Sequence, residues 1–297
     1  MFRGINTPLI TIFDDSGKID FKAMEIQVDR LVKAKVNGIL LFGSMGEFYA
    51  VDEESKRELI KKIKGQVKDK AKIIVGIGDT NEDNVLRLGH YCEEVGVDAV
   101  NVISPYYFGP GEDAAYKYFS DIAKSLELPI MLYNFRERTG SDLSPETICK
   151  LAVEYKNIVA VKDTVDNISH TRKICQLVKA IRAACDVLAG FDEFYLVNRV
   201  SGGDGVLCGL TNVVPELFVN MHNAYENGDF NQVIKLAECI SKLMKLYDVT
   251  SLFVVGMKEA VRLMGVPMST YTKVPGMQIT EKEKERVKSI LIENNIL

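Results

Sequence analysis

Asn157-Ile158-Val159-Ala160-Val161-Lys162 is a short apolar run that ends on a lysine. Its length suits a β-strand, and its lack of polar alternation suits one covered on both faces, as in a parallel sheet. Seven further runs share this character: Thr7–Phe13, Gly38–Gly43, Lys72–Ile77, Ala99–Ser104, Ile130–Asn134, Val187–Gly190 and Gly205–Cys208. Most are separated by segments of helical length. In the first of these, Phe21, Met24, Val28, Leu31 and Val32 recur at helical spacing. In the second, Leu59, Ile60, Ile63 and Val67 do the same behind an acidic start, Asp52-Glu53-Glu54, which suits a helix N-terminus. Eight strands with helical crossovers predict an α/β fold of the (β/α)8 TIM-barrel type. The competing open, doubly wound sheet is weakened by Gly76-Ile77-Gly78, where Asn81 stands in place of the third glycine of a dinucleotide fingerprint. Strand signals stop near residue 225. Residues 230–247, 251–264 and 280–293 read as helices. The expected division is therefore a barrel over 1–225 and a helical C-terminal region over 226–297.

Composition narrows the function classes. The 297 residues are 47% hydrophobic and 26% charged with a net charge of −4, which is ordinary for a soluble enzyme and offers no nucleic-acid footprint. No apolar run reaches the ~20 residues of a membrane span, and Asp14 and Asp15 come too early for a secretory leader. The expected location is the cytoplasm. The six cysteines form no CxxC pair, so buried free thiols are expected. The histidines, His90, His170 and His222, have no metal-ligand spacing, so no metal is expected.

In a barrel, the residues just past the C-terminal end of each strand line the site. Those residues here are Gly43-Ser44-Met45-Gly46-Glu47, Ser104-Pro105-Tyr106-Tyr107, Tyr133-Asn134, Lys162-Asp163-Thr164, Gly190-Phe191-Asp192-Glu193 and Cys208-Gly209. Burial disfavours an ammonium ion, and a neutral amine attacks a carbonyl to form a Schiff base. A lysine snorkelling from a strand end to solvent fits the same position. Alternation puts Ala160 on the face of Lys162, and Met131 on the face of Tyr133. If that face is the barrel interior, a lysine and a proton-shuttling tyrosine point up the axis together. A buried aromatic with a satisfied hydroxyl is the simpler account of Tyr133. The two glycines of the Gly43–Glu47 loop let successive N–H groups converge on a carboxylate, although such loops are often plain turns. The Gly202-Gly203-Asp204-Gly205 cluster precedes the eighth strand, at the wrong end for a phosphate site of this fold.

Together GINTPLITIF, LLFGSMGEF, SPYYFGP, IMLYNFRERTG, IVAVKDT, LAGFDE and GGDGVLCG resemble the dihydrodipicolinate synthase / N-acetylneuraminate lyase family of pyruvate-dependent class I aldolases, over nearly the whole chain. The resemblance implies that Lys162 is the Schiff-base lysine and Tyr133 the proton relay. Ser44 then bonds that tyrosine, and Tyr107 reaches across a subunit interface. It further implies that the N–H groups of Ser44 and Met45 hold the pyruvate carboxylate. Met45 replaces a second hydroxyl of the family loop, a loss of one side-chain hydrogen bond worth ~1 kcal/mol. TPLITIFDDSGKID, MLYNF, KDTVDNISHTR and SLFVVGMKEAVRLMGVPMST are similar to 2-keto-3-deoxy-gluconate/pentonate aldolases. Asp192 and Glu193 resemble a segment that binds sugar hydroxyls, and Cys208 ends the eighth run beside them. Arg138 instead matches the arginine by which the synthases bind a semialdehyde carboxylate. It could also pair with Glu137 or Asp142. The resemblance implies a lyase without a cofactor, assembled as a homotetramer. Its first expected reaction is cleavage of a 2-keto-3-deoxy sugar acid to pyruvate and an aldehyde. The alternatives are condensation of pyruvate with aspartate semialdehyde, neuraminate cleavage, and a barrel that binds a keto acid without turning it over.

Overall fold

The computed structural model describes residues 1–297. Its strands are β1 (Gly4–Pro8), β2 (Gly38–Leu41), β3 (Lys72–Gly76), β4 (Ala99–Ile103), β5 (Ile130–Asn134), β6 (Ile158–Asp163), β7 (Asp186–Ala189) and β8 (Gly205–Leu207). They close in sequence order into one parallel barrel. The closing pair, β8 with β1, needs a glycine at position 205. Its φ is +141°, and a Cβ there would lie 2.0 Å from the Gly4 carbonyl oxygen.

Leu40, Ile74, Ala99, Met131, Ala160, Leu188 and Leu207 point into the barrel and pack with Phe2, which is fully buried. Asp186 at the start of β7 accepts the Phe2 N–H at 2.6 Å, and the Asn6 amide donates to the Phe2 carbonyl. The opposite, C-terminal mouth stays open. Outside the strands, helices cover the sheet with amphipathic faces. Glu53–Val67 buries Leu59, Ile60, Ile63 and Val67, the four positions its spacing predicts, and Asp52 caps it by accepting the Ser55 N–H. Phe21–Lys33 buries Met24, Val28 and Leu31, while Phe21 and Val32 are only half-buried.

The first strand differs from expectation. The apolar run Thr7–Phe13 marks burial, but the ladder ends at Pro8, and Leu9–Ile12 run on as a buried connection. Its backbone is satisfied irregularly: Ile10 N–H donates to Asn212 Oδ1 and Ile12 N–H to Met24 Sδ. Strand ends elsewhere shift by at most two residues, the larger shift being at β2, which stops at Leu41.

Past the last crossover helix, Pro215–Glu226, come Phe230–Leu243, Phe253–Leu263 and Glu281–Glu293. The helix expected over 230–247 stops at Leu243 and tightens into a 3-10 turn, Met244–Asp248. Val233, Ile240, Met257, Val261, Val287 and Leu291 share one continuous core with the barrel's outer face. All six cysteines are free thiols, and no helix is long and apolar enough to cross a membrane.

Candidate active site

Lys162 pairs directly with Tyr133 in the register of β5 and β6, so the two side chains emerge side by side on the interior face. Small Ala160 below Lys162 leaves space for the lysine stem. Lys162 is 5% exposed, and its Nζ lies 4.0 Å from the centroid of the Tyr133 ring. No carboxylate pairs with that amine, which is unusual for so buried a lysine. Ser44 Oγ stands 3.5 Å from the Tyr133 hydroxyl.

These side chains face a cavity of about 510 Å³ at the open mouth of the barrel. Its floor is Pro8, Leu207, Cys208 and the Ser44-Met45 loop. In that loop Gly46 N–H donates to the Gly43 carbonyl and Glu47 N–H to the Ser44 carbonyl. The N–H groups of Ser44 and Met45 donate to no protein group. Two adjacent donors left without a protein acceptor beside a buried amine are the kind of arrangement that pairs with an anion.

The loop is held from behind by Glu47, whose backbone is left-handed with φ +51°. Its carboxylate pairs with Lys258 of the helix Phe253–Leu263, and both side chains are fully buried. Glu47 Oε2 also accepts the Lys273 N–H at 2.7 Å, while Lys258 Nζ donates to the Tyr271 carbonyl at 2.7 Å. Burial pushes the Glu47 carboxyl up and the Lys258 amine down, and their mutual attraction opposes both shifts.

One wall follows β6 and β7. The Thr164 hydroxyl is buried, has no hydrogen-bond partner, and borders the cavity. Gly190 is required beside it, since a Cβ there would lie 1.9 Å from Thr164 Oγ1. Asp192 is built into the structure: Oδ1 accepts the Leu210 N–H at 2.7 Å and Oδ2 the Tyr247 hydroxyl at 2.6 Å. Burial raises the pKa of Asp192 and of the Cys208 thiol beside it. Glu193 is exposed and bonded to no side chain. Partial desolvation of its carboxyl, together with the charges of Asp192 and Asp166, lifts its pKa above the ordinary value.

The outer wall comes from the C-terminal helices, through Met244, Tyr247, Asp248 and Phe253. Arg138, on the short helix Arg136–Thr139, lies between Phe253 (5.7 Å) and Phe135 (5.9 Å). It pairs with neither Glu137 nor Asp142. Arg136 takes Asp142 instead, at 3.6 Å. Tyr107 is outside the cavity: it is 87% exposed, with φ +79° and its ring against Phe108.

The model of the dihydrodipicolinate synthetase family matches residues 1–294. The chain belongs to that family. Among relatives, it is 32% identical over 296 residues to the "Probable 2-dehydro-3-deoxy-D-pentonate aldolase YjhH" of Escherichia coli K12, covering 100% of this chain and 98% of the relative. It is also 32% identical over 291 residues to the 4-hydroxy-tetrahydrodipicolinate synthase of Methanocaldococcus jannaschii, covering 98% of each. The crystal structure of YagE, a prophage protein of the family from E. coli K12 in complex with pyruvate, superposes with a TM-score of 0.97 at 32% identity over 100% of both chains.

Sequence reading brought Lys162, Tyr133, Ser44, Met45, Arg138, Asp192, Glu193 and Cys208 to one family cavity, and the structure lines it with all eight. It set Thr164 among the strand-end residues without giving it a role, although position 164 shares the face of 162 by the same alternation. It missed Tyr247 and Phe253, because helical periodicity does not say which helix end overhangs a barrel mouth. No group of three or more His, Cys, Asp or Glu side chains has the geometry to hold a metal ion.

Proposed function

We propose that the protein is a Schiff-base-forming, pyruvate-dependent lyase that cleaves a 2-keto-3-deoxy sugar acid to pyruvate and an aldehyde. The observation that carries this reading is the buried, unpaired amine of Lys162 beside Tyr133 and two free backbone N–H groups. Lys162 Nζ adds to the C2 carbonyl and water leaves, giving an imine whose protonated form draws electrons from the C3–C4 bond. Tyr133, with Ser44 behind it, takes the proton of the C4 hydroxyl as that bond breaks and the aldehyde departs. The resulting enamine is protonated at C3, and water releases pyruvate and the free amine. Ser44 and Met45 N–H hold the keto-acid carboxylate, and no cofactor is needed. Thr164 and Glu193 are placed for hydroxyls further along the chain, while Asp192 and Cys208 shape the wall behind them.

The aldolase name of YjhH supports the sugar-acid substrate, as do the uncharged Thr164 hydroxyl and the carboxylates of Asp166, Glu193 and Asp248 around the mouth. Such a rim favours a neutral hydroxylated tail over a second carboxylate. Arg138, free of any carboxylate, supports the second reading, condensation of pyruvate with aspartate semialdehyde. Tyr107 projects from the single chain, and we assign it to the neighbouring subunit's relay in a homotetramer. The barrel, residues 1–225, is the catalytic part of a cytoplasmic enzyme, and residues 226–297 complete its mouth.

Pyruvate with borohydride is expected to leave a reduced adduct on the peptide containing Lys162, absent from Lys162→Ala; no adduct removes the mechanism. Pyruvate release from 2-keto-3-deoxygluconate is then expected. Robust semialdehyde condensation without that release reverses the substrate assignment.

A further inference from the structure

His170 stands on the helix Ile168–Ile181, directly behind the strand end that carries Lys162. Both of its ring nitrogens face acceptors. Nδ1 is 3.1 Å from each oxygen of Asp163, and Nε2 is 3.1 Å from the Leu143 carbonyl oxygen. A neutral imidazole has one N–H and one lone pair, so either neutral tautomer aims a lone pair at an oxygen. Both oxygens of Asp163 already serve as acceptors, Oδ2 from Thr171 Oγ1 at 2.6 Å and Oδ1 from Asn134 Nδ2 at 3.1 Å, which favours the ionised carboxylate facing the ring. Against an ionised Asp163, only a ring protonated on both nitrogens satisfies every partner.

The groups packed around the ring agree. Asp163 faces it from β6, and Asp142 lies 3.8 Å from Nε2 on the connection after β5. Thr171 adds a neutral hydroxyl from the same helix, and Asn134 a neutral amide from β5. Beyond Asp142, Arg136 pairs with that carboxylate at 3.6 Å. Burial pulls the imidazole pKa down, but the hydrogen bond and charge of Asp163, the charge of Asp142 and the Leu143 carbonyl outweigh it, leaving the pKa above the usual 6.5.

We propose that His170 is an imidazolium that pins the 135–143 connection, with Arg138 on it, to the strand end carrying Lys162, and so is a positioning residue for the aldehyde side of the site. Asn134 closes the same knot by donating to Asp142 and accepting the Leu143 N–H. Loss of the proton sets a lone pair against Leu143 or Asp163, and the connection loosens. The amine and the carboxylate dock sit on other elements and keep their geometry. Rising pH therefore weakens binding at the aldehyde end while leaving imine formation intact.

The proposal rests on the aldolase reading, so its first test is independent of activity. Histidine 15N spectra of the full-length protein, with His170 assigned through contacts to Thr171 and Leu143, are expected to show both ring nitrogens protonated at pH 7. A neutral tautomer at pH 7 overturns the proposal. In kinetics, His170→Gln is expected to raise KM for 2-keto-3-deoxygluconate about tenfold, the scale of one charged hydrogen bond, and to abolish the basic limb of the wild-type KM profile. Borohydride trapping of pyruvate should stay near the wild-type rate. An equal loss in kcat, trapping and folded fraction marks a purely structural residue and also overturns it. Absence of trapping in the wild type defeats the aldolase reading alone, with the spectra still deciding the state of His170.

Discussion

Thr164 has the one side-chain hydroxyl in the cavity that is buried without a partner, and a buried hydroxyl left unpaired is costly. On the proposed reading, a substrate hydroxyl is its partner. Replacing Thr164 by Val keeps the shape and removes the hydroxyl. KM for a hydroxylated keto acid should rise about tenfold, equivalent to ~1.4 kcal/mol, while borohydride trapping of pyruvate is retained. Unchanged KM with 2-keto-3-deoxygluconate would show that Thr164 does not meet the substrate. Tyr133→Phe differs in kind: imine formation should survive, but turnover should fall by about 10²–10⁴, the usual size of a lost proton-transfer group, in a steady-state assay of pyruvate release. The placement of Lys162 and Tyr133 at the barrel mouth was legible because a strand repeats every second residue, but position alone fitted a snorkelling lysine and a core tyrosine, and the family resemblance was what singled out the pair. Thr164 was legible as a strand-end residue, but its buried, unpartnered hydroxyl was not, because that depends on what packs around it. Burial of both Asp192 oxygens was not legible either, since one donor, Tyr247, lies 55 positions away.

At the scale of elements, the contact that most shapes the site joins a loop after β2 to a helix after the barrel. Glu47 and Lys258 are both fully buried and depend on each other. Removing one partner strands a charge, so Lys258→Met should destabilise the protein by roughly 3–5 kcal/mol in urea unfolding. Adding Glu47→Gln removes the stranded charge, and the double variant should recover much of that loss. Additive losses in the two single variants would mean that the pair is not coupled. Because Glu47 follows the free N–H groups of Ser44 and Met45, the double variant is expected to bind pyruvate more weakly even where it folds well. The strands and crossover helices were legible from apolar periodicity, with the exception of the first strand. There Pro8 ends the ladder while the apolar run continues, because Leu9–Phe13 are buried by helices and loops rather than by sheet pairing. The pairing of Glu47 with Lys258 had no local signal, as neither residue departs from the helix or turn that contains it.

For the whole molecule, the two barrel ends are treated oppositely. Phe2 closes one end against seven interior side chains, and the other is left open as the cavity. Phe2→Ala should lower stability by about 3–5 kcal/mol in thermal or denaturant unfolding while leaving borohydride trapping on the folded protein unchanged. A loss of trapping in the folded variant would mean that the plug also shapes the mouth. The barrel itself was legible from eight runs and their spacing. That the C-terminal helices furnish a wall of the cavity was not, since their sequence signals only that one face is apolar. That wall has a consequence for the order of synthesis. A ribosome delivers Lys162, Tyr133 and the carboxylate loop well before Tyr247, Phe253 and Lys258. The nascent barrel therefore holds the Lys162 amine before it has the partner that pairs with Glu47 or the side chains that wall the cavity. The cavity wall and the buried pair are complete only once the last helices dock, so the site is the last part of the molecule to be finished.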